Sequence, residues 1–90
     1  MSVEICDHLS NAHAKEPNTR DGCEECLKIG SGWVHLRVCL ECGKVGCCDN
    51  SPNKHATAHF HETHHPLVQS LEPNEEWVYC YEDDMAIESL

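Results

Sequence analysis

Apolar residues are spread thinly along the chain, and few stretches carry a periodic pattern. Trp33-Val-His-Leu-Arg-Val-Cys39 alternates at period two and predicts a strand. Pro66-Leu-Val-Gln-Ser-Leu71 predicts a second, and Glu76-Trp-Val-Tyr-Cys-Tyr-Glu82, rich in aromatics, a third. Ser51-Pro52 suits a helix start, with Ser as N-cap and Pro in the first turn, and the helix runs to about Thr63. On it His55 and His59 stand four residues apart and share a face. Ala56 and Phe60 share the neighbouring stripe and are expected to pack inward. Residues 11–22 are polar, with Pro17 and Gly22, and read as a loop. Glu82-Asp83-Asp84 reads as an acidic turn before a short closing segment, Met85–Ile87. There is no repeat and no low-complexity tract.

Composition explains how so sparse a pattern can fold. Ninety residues make one domain, residues 1–90. Leu, Ile, Val and Phe number only 17 of 90, and the net charge is −10, a mix that by itself suits a disordered chain. Eight cysteines and eight histidines reverse that expectation. Structural zinc contributes roughly 10 kcal/mol or more per site in finger peptides, which outweighs so modest an apolar supply. Disulfides would also suit an even cysteine count. The start of the chain has no basic segment and no apolar run, so secretion is not expected, and thiols stay reduced in the cytoplasm, where the protein is placed. No stretch approaches a membrane span. Six Lys and Arg against sixteen Asp and Glu leave no basic cluster to track phosphates, so nucleic acid is not an expected partner. Bound zinc would not reverse the acidic balance, because thiolate ligands bring their own negative charge.

Zinc favours four thiolate and imidazole ligands in closed structural sites. The candidates in chain order are Cys6, His8, Cys23, Cys26, Cys39, Cys42, Cys47, Cys48, His55, His59, His65 and Cys80, enough for three such sites. Gly43 follows the second Cys-x-x-Cys pair, where a left-handed turn is needed. One simple partition joins Cys23, Cys26, Cys39 and Cys42 in one all-cysteine site, with a spacing somewhat short for a zinc ribbon. A RING-like cross-brace is another, though the helical His pair and His65 fit it poorly.

The ordered series Cys6-x-His8, Cys23-Glu-Glu-Cys26, a Trp, Cys39-Leu-Glu-Cys42-Gly43, Gly46-Cys47, His55-x3-His59-x5-His65-Pro66 and a closing aromatic segment resembles the zinc finger of the ubiquitin-specific-protease (UBP) type. The resemblance runs from Cys6 to about Met85 and is nearest to stand-alone, single-domain members. It implies a small zinc-stabilised α+β fold, with a twisted antiparallel β-sheet, one or two short helices and interleaved zinc knuckles. It also implies the ligand sets. Cys23, Cys26, Cys47 and His55 would share one zinc, and Cys39, Cys42, His59 and His65 a second. Cys6 and His8 would close a third with two cysteines of the aromatic segment. Only Cys80 is present there, and the other position looks like Val78. Cys48 is the thiol available to fill the gap; Asp83, solvent or no third zinc are the alternatives. Two zincs are therefore expected firmly and a third less so.

The resemblance further implies a binding module rather than an enzyme, acting as a monomer. Ubiquitin-binding members hold a free C-terminal Gly-Gly between aromatic rings, and an Arg after the zinc Cys grips the carboxylate. Trp33, Trp77, Tyr79 and Tyr81 match the aromatic positions and Asp84 an acidic one. Where the family has Cys-Gly-Arg-Tyr, this chain reads Cys47-Cys48-Asp49-Asn50. Asp49 repels a carboxylate, so ubiquitin is expected to bind weakly or not at all. Arg37 or Lys44 could restore the charge. The rival function is structural, zinc-storing or redox, for which an exposed reactive Cys48 would speak. His13, His35, His61 and His64 are expected to be bystanders, the His-Pro pairing favouring His65 over His64. Nucleophilic Cys–His catalysis is not expected, because closed zinc sites leave no open position.

Overall fold

The computed structural model describes residues 7–90. Five strands form one antiparallel sheet in the order β2-β1-β3-β4-β5: β1 Leu36–Cys39, β2 Val45–Cys47, β3 Leu67–Ser70, β4 Val78–Cys80 and β5 Met85–Ile87. Three short helices accompany it: α1 Asp7–Ser10, α2 Glu24–Ile29 and α3 His55–Thr63. This is the α+β arrangement that the sequence implied. The three expected strands are present in shortened form, and α1, α2 and β2 are additions.

Register sorts the side chains onto two faces. Leu36 pairs with Cys47, Val38 with Val45, Leu67 with Cys80, and Val78 with Ile87, and these point to one side. Leu9 of α1, 3% exposed, packs there against Leu67, Val78 and Cys80. Arg37, opposite Gly46 and Ser70, and Val68, opposite Tyr79, point to the other side. Helix α3 crosses that second face at its β2 end. A Cβ at Gly46 would come within 2.7 Å of the Ala56 backbone nitrogen, so glycine there lets the helix start lie on the strand.

The helices begin by unusual means. Cys23 caps α2, its Sγ accepting from the Cys26 backbone N–H at 3.4 Å. The helix ends at Gly30, in the left-handed conformation. Helix α3 starts at His55, not at Ser51 as expected. The Ser51 hydroxyl accepts instead from the Val34 N–H at 2.8 Å. The His55 N–H donates to Cys47 Sγ at 3.2 Å, so a ligand thiol takes the place of the serine cap. The second knuckle turns at Gly43, whose φ of 80° is the left-handed value expected of it.

Helix α2 also shields the edge strand β2. Glu24 accepts from the Val45 N–H at 2.7 Å, and Glu25 receives Lys44 at 2.7 Å. An edge N–H that could template another chain is thereby satisfied within the molecule. Among the described residues, six of the thirteen buried apolar side chains are cysteines. The interior is thus built around thiols, and what holds the thiols holds the fold.

Candidate metal centres and the aromatic face

Three groups of ligating side chains come together, each with its atoms within 4.8 Å of one another. The first is Cys23, Cys26, Cys47 and His55. His55 Nδ1 lies 3.2, 3.3 and 3.6 Å from the sulfurs of Cys23, Cys26 and Cys47, and Cys26 and Cys47 are 3.8 Å apart. Bonds of ~2.3 Å to sulfur and ~2.0 Å to nitrogen around a tetrahedral zinc give separations of roughly 3.5–3.8 Å. The set therefore has the span of a zinc cage. Its three cysteines are fully buried. Burial, with the crowding thiols of Cys26 and Cys47 adding to it, pushes the Cys23 thiol up to about 12. Three such sulfurs can be thiolates together only around a cation.

The second group is Cys39, Cys42, His59 and His65. Cys42 Sγ lies 3.4 Å from His59 Nε2, and Cys39 Sγ 3.7 Å from His65 Nδ1. Burial raises the Cys39 thiol and, with His65 beside it, lowers His59, which keeps that imidazole neutral and able to ligate. The two groups share α3: α2, β2 and the start of α3 serve the first, and β1 and the middle of α3 the second. The alternative of joining both Cys-x-x-Cys pairs in one site is not what the chain does.

The third group is His8, Cys80 and Asp83. His8 Nδ1 is 3.0 Å from Asp83 Oδ2 and 3.6 Å from Cys80 Sγ. Cys6, also assigned to this site, lies outside the described residues. One expectation is corrected here. Val78, which stands where the resemblance puts the second cysteine, is an apolar side chain buried with Leu9 and Cys80 and offers no ligand. Cys48 does not fill the gap. Its Sγ faces Ser51 Oγ at 3.6 Å and His35 Nδ1 at 3.9 Å, and it joins none of the three groups. The acidic turn instead folds back and presents Asp83. Of the remaining histidines, His13, His61 and His64 are exposed, and none of the four bystanders enters a group.

The aromatic residues divide. Trp77, Tyr79 and Tyr81 point to the second face of the sheet, around and within β4. Tyr81 stacks on Phe60 of α3, with centroids 5.0 Å apart, and meets Tyr79 edge-on at 5.1 Å. Phe60, expected only as core packing, belongs to this face. Tyr79 donates to Asp84 at 2.5 Å, which pushes the phenol up to about 12. The Arg37 guanidinium lies 4.4 Å over the Trp77 ring. Trp33 packs on the first metal group. Its indole covers Cys23, Cys26 and Cys47, pressed so closely on Gly22 that no side chain fits there. Asp49, two residues after Cys47, is exposed, and its carboxylate accepts from Thr57 Oγ1 at 2.6 Å, whose hydroxyl also bonds Tyr81 at 3.3 Å.

Residues 23–90 match the family model of the zinc finger in ubiquitin hydrolases and other proteins. The chain belongs to the UBP-type zinc-finger family. Zinc is the cofactor of that family, and the Cys and His groups are positioned to hold two or three ions. Among curated relatives, ubiquitin carboxyl-terminal hydrolase 44 of Danio rerio is 44% identical over 59 residues, 66% of this chain and 8% of that protein. Human BRCA1-associated protein is 34% identical over 75 residues, 83% of this chain and 12% of its own length. The chain thus spans only about a tenth of the curated relatives it matches, and what it matches is the finger rather than a hydrolase domain. The solution structure of protein RPA1320 from Rhodopseudomonas palustris superposes with a TM-score of 0.85 at 50% identity, covering 97% of this chain and 84% of that one.

Proposed function

We infer that this zinc finger is a non-catalytic protein-interaction module that receives a peptide chain end on the face formed by Trp77, Tyr79, Tyr81 and Phe60. Its zincs are held by Cys23, Cys26, Cys47 and His55, by Cys39, Cys42, His59 and His65, and more weakly by His8, Cys80 and Asp83. The observation that carries the reading is the aromatic face itself. Four large rings of so small a protein gather on one side, in partly exposed positions, above strands tied to the metal centres. Rings fixed by such a framework cost little entropy on binding.

Ubiquitin itself is expected to bind weakly or not at all, because Asp49 stands beside Tyr81 where the family resemblance implies an Arg. The rival redox reading is disfavoured by Cys48 being only 5% exposed, too enclosed for ready exchange with an oxidant. The test is a pull-down with the zinc-loaded domain, followed by titration of the C-terminal peptides of whatever it retains. Retention of partners through their chain ends supports the reading. Partners insensitive to loss of Trp77 and Tyr81 would refute it.

A further inference from the structure

We propose that occupancy of the third metal group, His8, Cys80 and Asp83, controls the aromatic face by way of the Asp84–Tyr79 bond. The consequence for peptide binding rests on the reading of that face given above; the coupling itself does not. Tyr79 and Cys80 are neighbours in β4 and point to opposite sides of the sheet, Cys80 paired with Leu67 and Tyr79 with Val68. Asp83 and Asp84 are neighbours in the turn to β5 and divide in the same way. The Asp83 carboxylate lies 3.6 Å from Cys80 Sγ and 3.0 Å from His8 Nδ1. The Asp84 carboxylate accepts from the Tyr79 hydroxyl at 2.5 Å. Two adjacent strand residues are thus joined to two adjacent turn residues, one pair through the metal group and the other through the ring.

The turn needs such a fastening. Asp84 has a φ of 48°, a left-handed conformation that residues other than glycine adopt at a cost. Glu82, Asp83 and Asp84 also place three carboxylates in succession, which repel one another. A cation shared by Asp83, Cys80 and His8 offsets that repulsion. It also ties the turn to α1, which Leu9 anchors against Leu67, Val78 and Cys80. Asp84 is then held at the Tyr79 hydroxyl, and Tyr79 keeps its edge-on contact with Tyr81 at 5.1 Å. Tyr81 is fixed from another direction, stacked on Phe60 and bonded to Thr57. Of the two tyrosines, Tyr79 is the one whose polar anchor lies in the turn.

The group is also placed for exchange. The His8 and Asp83 side chains are 44% and 43% exposed, whereas the three cysteines of the first group are fully buried. A change in zinc supply therefore reaches this group while the other two hold the fold. The bistable element is the turn, and the residue it moves on the binding face is Tyr79.

The experiment needs no ligand. The zinc-loaded protein is stripped of its weakest ion by graded chelation, with native mass spectrometry for stoichiometry and NMR for the His8, Tyr79, Tyr81 and His55 rings and the Asp84 amide. The expected result is that the His8, Asp84 and Tyr79 signals change together and the Tyr79–Tyr81 ring contact weakens, while His55 is unmoved. Coupling is reciprocal, so Tyr79→Phe, which alters no ligand, should weaken the third ion at least about fivefold and leave the first two unchanged. Asp84→Asn repeats that comparison with a smaller change should Tyr79→Phe fail to fold. A His8 change that leaves Tyr79 and Asp84 still overturns the proposal, as does a first loss that spares His8. Undiminished third-ion affinity in the folded variants overturns it as well. A face that binds no chain end would refute the module reading and leave this coupling standing.

Discussion

Cys47 Sγ accepts a hydrogen bond from the His55 N–H at 3.2 Å, while the His55 ring turns back to the same sulfur at 3.6 Å. The strand end and the helix start are thus fixed to each other twice, before any metal is counted. A metal at this group ties β2, α2 and α3 together at one point.

Removing that point should be far more costly than removing a surface ring. Cys23→Ser and His55→Ala are expected to lose most of the stability that one zinc provides, on a scale of roughly 10 kcal/mol, and so to fail to fold cooperatively. His61→Ala should change stability by no more than about 0.5 kcal/mol, since His61 is exposed. Far-UV circular dichroism melts decide it, and equal losses would overturn the assignment.

Much of this was legible in the chain because metal ligands must converge, and their spacing carries the fold with them. What was not legible depended on side-chain competition. Ser51 followed by Pro52 has the local form of a helix start, but Val34 claims its hydroxyl and Cys47 supplies the cap further on. Helix α2 has only six residues and is capped by a ligand thiol, so it reads as a bare knuckle. Val78, where the resemblance puts a second cysteine, has no ligand atom to offer. Only the return of the turn brings Asp83 back to Cys80 Sγ, at 3.6 Å. The place of Trp33 rests on Gly22, where a Cβ would come within 2.3 Å of the indole, a close approach no pattern of hydrophobicity encodes.

The third metal position should be the weakest, because a carboxylate stands among its ligands and both His8 and Asp83 are exposed. Under graded chelation, native mass spectrometry should show a three-zinc species losing one ion before the other two. Asp83→Ala should abolish the third ion without disturbing the first two, and Asp83→Cys should tighten it. A first loss that Asp83→Ala does not affect would contradict this order.

Zinc uptake should release protons and strengthen as pH rises. With its thiol pushed up to about 12 by burial, Cys23 is protonated at neutral pH without metal and must lose that proton to bind it. Calorimetry in buffers of different ionisation enthalpy should show net proton release. Affinity should fall as pH falls, the direction set by protons competing with metal for sulfur. A pH-independent affinity would mean that the thiols are not ligands.

Glu24→Ala should destabilise the domain by about 1–2 kcal/mol, since it strips the Val45 N–H of its partner at the sheet edge. Hydrogen exchange at Val45 should quicken, and the bare edge should raise concentration-dependent association. Unchanged exchange at Val45 would show that Glu24 does not protect the strand.

The last prediction concerns ubiquitin. Its C-terminal peptide, Arg-Leu-Arg-Gly-Gly with a free carboxylate, should bind the wild-type domain at near-millimolar strength or below detection. An Arg–carboxylate fork contributes about 1.5–3 kcal/mol, and an opposed carboxylate adds repulsion of similar order, together two or more orders of magnitude in affinity. The second position after Cys47 here carries Asp49, held by Thr57 beside the Tyr81 hydroxyl, so negative charge sits at the Tyr81 end of the rings. Asp49→Ala should remove the repulsion and strengthen binding about tenfold, and Asp49→Arg should recover more if the loop delivers its fork to the rings. Isothermal titration of the peptide and its amide against wild type and both variants measures this. Low-micromolar binding by the wild type, lost on amidation, would show that Asp49 does not face the carboxylate.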